Sequence, residues 1–214
     1  MDLNNRIDEI NLNTIKMFEL TIKYLKDAGD ILINHQVINV PIIDDEKINA
    51  YERKIEEECL LIILRERPFA IDLRKVTGIF KLVEDIERLS DHALDLVWTT
   101  TNLLKYSEST KFENLKLILK LAFKMVTDSY EAFVNNDEKL ATDVVNRDDE
   151  VDALYLKVLD EIPLKKDKNN LDDNFIIYAT LLAKYAERIA DHASNIAEWV
   201  VYIKSGYYKD KVII

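Results

Sequence analysis

Glycine, proline and cysteine are nearly missing from this chain of 214 residues: there are three, three and one of them. So little glycine and proline argues against sheets joined by tight turns and favours long helices. The lone cysteine, Cys59 in the run CLLIIL, leaves no partner for an intrachain disulfide. It reads as a small core residue in a reducing compartment. No apolar run approaches the roughly 18 residues of a membrane span. The start MDLNNRIDEI has neither the basic nor the apolar region of a signal peptide, so a soluble protein is expected. Positive charge is also short: 29 Lys and Arg against 40 Asp and Glu leave a net charge of −11. That balance argues against a nucleic-acid ligand, because phosphate contacts need clustered Lys and Arg. It suits cations, or a basic patch on a partner protein.

What is present is helical periodicity almost throughout. The spacing predicts a first helix over about 13–26, closed by Gly29. Residues 31–43 are ambiguous, since β-branched residues and Pro41 weaken the pattern there. Asp44 or Asp45 can cap a second helix to about Leu64, and Pro68 fits the first turn of a third reaching about Tyr106. The plan then repeats. Thr110 or Lys111 opens a helix to Val134, and Asn135-Asn136-Asp137 forms a turn and cap. A fifth helix runs to Glu161, residues 163–170 form a polar loop, and a sixth helix runs from about Asp172 to Lys204, stopped by Ser205-Gly206. Three antiparallel helices are the fewest that close a core. The expected fold is all-α, two tandem three-helix bundles over residues 1–107 and 108–214.

ERLSDHALDLVW at 87–98 returns as ERIADHASNIAEW at 187–199, with Glu, Arg, Asp and His in register one hundred positions apart. Apolar periodicity alone would not preserve such mixed chemistry, so the two stretches are copies of one unit. On the first copy Leu82, Ile86, Leu89, Ala93 and Leu96 share one face, and Glu84, Glu87, Asp91 and Asp95 lie opposite. On the second the apolar face is Leu182, Ala186, Ile189, Ala193, Ile196 and Val200, and Glu187, Asp191, Asn195 and Glu198 lie opposite. Acids stacked at i, i+4 repel by a few tenths of a kcal/mol per pair. A ladder kept in both copies suggests a cation that offsets the repulsion, and hard cations and iron take oxygen ligands. Neighbouring helices add Asp45 with Asn49 and Asp148 with Asp152, again at i, i+4. His92 and His192 lie about 100° off the stripe, as flanking ligands or as inter-helix hydrogen-bonding groups. A solvated acidic face is the plain alternative for one helix alone.

With these residues in view the chain resembles the PhoU phosphate-signalling family, over about 44–104 and 111–208. DDEKIN and DDEVD are similar to the acidic start of that family's second helix, and RERPFAIDLRKV to its R-x-P-x-x-x-D-L-R segment. ERLSDH and ERIADH resemble its E-R-I-G-D signature, and AEWVVYIKSG its closing segment. Ser90 and Ala190 stand where the family has Gly, and the second copy has PLKKDKNN in place of the R-x-P segment. The resemblance implies two three-helix repeats whose E(D)xxxD motifs hold multinuclear metal clusters, of iron or zinc, with manganese or magnesium as alternatives. It implies a cytoplasmic regulator of phosphate uptake and phosphate-responsive signalling, placed between a Pst-type transporter and a phosphate-sensing histidine kinase. Such a protein would reach the membrane through its partners and form a homodimer. The ligands carried over by position are Asp45, Asn49, Glu87 and Asp91, then Asp148, Asp152, Glu187 and Asp191; Asp95 continues the first ladder. Asn49 makes the first site one charge weaker.

Two other functions compete. A carboxylate-bridged di-metal oxidoreductase would use Glu-x-x-His ligands turned into a bundle core, a motif this chain lacks. A metal-free scaffold would dock its acidic faces directly on a transporter. The expected reading is a binding and regulatory module without turnover.

Overall fold

Three aspartates set three helix starts. Asp44 accepts from the Lys47 amide at 3.2 Å, Asp137 from Leu140 at 3.0 Å and Asp172 from Asn174 at 2.8 Å. Each satisfies one of the amides a helix leaves unpaired at its N-terminus. The structure, a computed structural model, describes residues 2–34, 43–106, 113–209 and 211–212. In order they form α1 (Leu3–Asn34), α2 (Asp45–Glu66), α3 (Ile71–Tyr106), α4 (Glu113–Asn135), α5 (Glu138–Asn146), α6 (Asp148–Asn169) and α7 (Asp173–Ser205). A two-residue antiparallel pairing of β1 (Tyr207–Tyr208) with β2 (Lys211–Val212) follows. Among the described residues no helix is long and apolar enough to cross a membrane.

α1, α2 and α3 pack on one another, as do α4, α6 and α7, with α5 laid against α4 and α7. The predicted apolar faces are the core: Leu82, Ile86, Leu89, Ala93 and Leu96 on α3, and Leu182, Ala186, Ile189, Ala193, Ile196 and Val200 on α7, are all buried. Cys59 is buried as expected, and burial pushes its thiol up to about 12. Ser90 and Ala190 are wholly buried.

The halves meet where α3 runs antiparallel to α7, with Gly78 against Ile203, Asp85 against His192 and Trp98 against Tyr178. Exchanging each member of the Asp85–His192 pair for its equivalent in the other repeat, one hundred residues up from Asp85 and one hundred down from His192, gives Tyr185 and His92, which also touch, ring centroids 5.7 Å apart. The two histidines face each other at 5.4 Å between these contacts. The repeats are thus joined about a local two-fold relation.

Five boundaries differ from the sequence reading. α1 begins at Leu3, ahead of the expected start near 13, because its buried face extends back through Ile10 and Ile7. α1 does not stop at Gly29 but continues to Asn34. Gly29 serves close packing, since a Cβ there would overlap the Phe123 ring of α4. Pro68 is buried in the corner before α3 and lies outside its first turn. The fifth expected helix is two helices, α5 and α6, broken at Arg147 (φ −83°, ψ −9°). The expected polar loop over 163–170 is instead the end of α6, which passes through Pro163 and ends at Asn170 in the left-handed region. Pro163 is exposed, so the carbonyl it leaves without a donor can turn to water. The expected domain boundary at 107/108, the helix start at 110–111 and most of the 31–43 segment fall outside the described residues.

Candidate metal centre

The carboxylates of α3 and α7 are not an open solvent face. Glu87 keeps 14% of its side-chain exposure and Glu187 13%, each turned into a groove beside the helix that precedes it in its own repeat. The sequence placed them opposite the core, which is correct for the helix taken alone. It could not show that α2 and α6 close over that side.

In the second repeat the groove gathers Asp152 of α6 with Glu187 and Asp191 of α7, one oxygen of each within 4.8 Å of the others. Asp148, the first residue of α6, joins them electrically. Burial pushes its carboxyl up to about 6, with Asp191, Asp152, Asp149 and Glu187 adding repulsion. Burial, then Glu187 and Asp152, also raise Asp191. Lys184 answers from one turn back on α7, its Nζ 2.6 and 2.5 Å from the two oxygens of Glu187 and over the ring of Tyr155 at 5.4 Å.

The start of α6 is itself held in place. Arg147, at the α5–α6 break, reaches Asp128 of α4 at 2.6 Å, and Lys124 takes the other oxygen of that buried carboxylate at 3.0 Å. Neither Asp128 nor Lys184 was marked from sequence; a single Asp in a helix of mixed charge carries no spacing signal.

In the first repeat Asn49 Nδ2 donates to Asp45 Oδ2 at 2.9 Å, locking the pair at the start of α2. Glu87 is raised first by burial and then by Asp91, with Asp45 and Glu84 adding and Arg88 opposing. Arg88 Nη1 lies 3.1 Å from Asp91 and its Nε 3.5 Å from Glu87. Glu52 belongs to this groove as well: burial, then Glu87 and Glu56, push it up to about 7. It was legible, three residues beyond Asn49 on the same face of α2. At the matching place the second repeat has Tyr155, and opposite Glu84 it has Lys184. Among the described residues no three acids of the first groove converge as tightly as Asp152, Glu187 and Asp191.

Asp95 goes elsewhere. It lies 3.2 Å from His92 Nδ1 and faces Tyr185 of α7. His192 bonds Asp85 at 2.8 Å. His192 thus takes the inter-helix hydrogen-bonding role, while His92 bonds within α3 and meets α7 through its ring.

The residues fit a hard cation. Asp45 Oδ1, Asn49 Oδ1 and Glu87 Oε2 are buried oxygens that receive no hydrogen bond. Buried acceptors are nearly always satisfied by a donor or an ion. Carboxylate and amide oxygens are the donor set of magnesium, manganese and iron more than of copper.

A family profile described as the PhoU domain matches the chain twice, over residues 14–97 and 115–200. The chain belongs to the PhoU family. It is similar to the phosphate-specific transport system accessory protein PhoU homolog of Pseudomonas putida, 32% identical over 95% of this chain and 80% of that one. PhoU homolog 1 of Thermotoga maritima is 31% identical over 89% of this chain and 84% of its own. The crystal structure of PhoU from Pseudomonas aeruginosa shares 30% identity at a TM-score of 0.83, over 96% of this chain and all of that one. A PhoU from Streptococcus pneumoniae, at 21% identity and a TM-score of 0.79, shares the fold. The tandem helical bundles are thus two PhoU domains, each with one acidic groove.

Proposed function

We propose that this PhoU-family chain is an accessory regulator of phosphate uptake that carries metal cations in two carboxylate grooves. The observation that supports the metal most directly is that buried oxygens of Asp45, Asn49 and Glu87 receive no hydrogen bond, beside carboxylates that repel Glu87. The convergence of Asp152, Glu187 and Asp191 is the second-repeat counterpart. A cation held there would cancel the repulsion and tie α2 to α3 and α6 to α7. The transport role is supported by relatives whose names assign them to the phosphate-specific transport system. On this reading the protein works from the cytoplasmic face, as a homodimer, on a Pst-type transporter or its phosphate-sensing kinase, and has no turnover of its own. The histidines a di-metal oxidoreductase would need are engaged at the α3–α7 contact.

One observation favours a metal-free scaffold: Arg88 and Lys184 already place cations on Glu87, Asp91 and Glu187. Calorimetric titration of chelator-treated protein with manganese, zinc and iron(II) separates the two. Saturable binding lost in Asp91→Ala and Asp191→Ala supports the metal reading; no heat with any of them leaves the scaffold.

A further inference from the structure

The corner between α2 and α3 is built unlike its counterpart in the second repeat. α2 ends at Glu66, after which Arg67 and Ala70 both hold left-handed backbone, at φ 48° each. L side chains adopt that conformation at a cost, and such residues persist where the surroundings impose them, commonly at working surfaces. Between them Pro68 is buried and Phe69 stands 87% exposed. Leu64, in the last turn of α2, is 72% exposed, and Ile71, which opens α3, is 57% exposed. An aromatic ring and two aliphatic side chains thus stand in water at a corner shaped by a buried proline and two left-handed residues.

Charge sets this corner apart too. Arg65, Arg67 and Lys75 are exposed and have no ion pair among the described residues. Glu66 is drawn away to Arg6 at 3.2 Å. In a chain of net charge −11 this is an apolar tip with a cationic rim. The repeat does not require it: the second copy turns through Asn169-Asn170-Leu171-Asp172, closed by an Asn in the left-handed region and an Asp cap.

We infer that this corner is a docking surface for a partner protein with an acidic rim around an apolar pocket. Phe69 fills the pocket, and Arg65 and Arg67 meet the rim carboxylates. An aromatic residue flanked by Arg is the composition of interface hot spots, where one buried ring can dominate the affinity. A bilayer is the poorer occupant, because the chain's net charge of −11 opposes an anionic lipid surface and three short side chains bury little apolar area in it. Resting on the reading above, the partner is the cytoplasmic part of the phosphate transporter.

The test uses the full-length protein and the phosphate transporter of the same genome in nanodiscs of phosphatidylethanolamine and phosphatidylglycerol, beside empty nanodiscs. Parent protein should bind the transporter discs and not the empty ones. Phe69→Ser and the double variant Arg65→Glu/Arg67→Glu should each weaken binding at least tenfold, with unchanged thermal melts. Leu156→Ser, at an exposed site on α6, should bind like the parent. Equal binding by all variants would overturn the corner while leaving the transporter as partner. No binding by the parent would overturn the partner reading and the inference with it. Equal binding to empty discs, or loss of a homodimer in Phe69→Ser, would give the corner to a membrane or to a second copy and overturn it.

Discussion

Nδ1 of His192 on α7 donates to the Asp85 carboxylate on α3 across 2.8 Å, with Asn195 Nδ2 adding a contact to the same oxygen at 3.3 Å. The bond crosses from one PhoU domain to the other beside their local two-fold, as that between Thr77 and Tyr202 does farther along at 3.2 Å. Replacing Asp85 with Ala leaves both donors unpaired in a half-buried interface, which costs about 1–3 kcal/mol. Urea melts of Asp85→Ala, His192→Ala and the double variant give the coupling. A sum of the single effects in the double variant would mean that the contact joins nothing.

Metal should stabilise the protein by mass action, about 2.7 kcal/mol at a hundredfold excess over Kd for one site. The expected outcome is a higher melting temperature with metal than with chelator, and no such difference in Asp91→Ala/Asp191→Ala. Without metal the double variant should be no less stable than its parent, because it loses repulsion. Thermal scans of both proteins in both buffers check this.

The Glu52 carboxyl sits at about 7 in the fold against an ordinary 4.5, raised by burial and then by Glu87. The folded state holds that proton more tightly than the unfolded chain, so metal-free stability falls as pH rises from about 4.5 through about 7. Glu52→Gln removes the Glu52 share of the fall, leaving that of Glu87, Asp148 and Asp191. It should melt above its parent at pH 8 and together with it near pH 4.5, measured in chelator. A gap of the same size at both values would rule out titration as the cause.

Asp128 holds Arg147 at the break that starts α6, and Asp148 is the next residue. Asp128→Ala leaves a partly buried guanidinium without its carboxylate, at a cost on the order of 3 kcal/mol. It should also weaken metal at the second groove and leave the first unchanged. Calorimetry on Asp128→Ala in an Asp91→Ala background, and in an Asp191→Ala background, reads the two grooves separately.

At Gly29, Ala would gain about 1 kcal/mol of helix propensity and lose about 1–3 to crowding against Phe123. Gly29→Ala should therefore be neutral to destabilising in the parent. In a Phe123→Leu background the same change should become stabilising. Thermal melts of the four proteins show whether the sign reverses.

Much of the fold was legible because its signals are local. The stripes of α3 and α7 and the cap Asp137 depend on spacings within one helix and stand as read; Asp44 proves to be the cap of the Asp44/Asp45 pair, and Asp172, read only as a helix start, caps α7. What failed depended on a second helix. Gly29 has the composition of a stop, and only the Phe123 ring shows it to be a point of contact. Arg147 is an ordinary helix residue until Asp128 pulls on it. Pro163 breaks a helix on propensity, yet on an exposed face water can take the freed carbonyl. In the grooves, the grouping of Asp152 with Glu187 and Asp191 is what the family resemblance implies, and the three do converge. Asp95 belonged to the same ladder but turned to His92, because a stripe along 36 residues of helix outruns the helix that covers it.

Two copies of one unit, met antiparallel along α3 and α7 on a single polypeptide, amount to an assembly whose subunits can never dilute apart. A pair of identical chains must accept every substitution twice, once on each side of its axis. Here each side has changed alone: Glu52 and Glu84 face one groove, Tyr155 and Lys184 the other, and Phe69 marks one corner only. Tethering leaves the halves free to differ, so that a change in one groove or at one corner needs no counterpart across the axis.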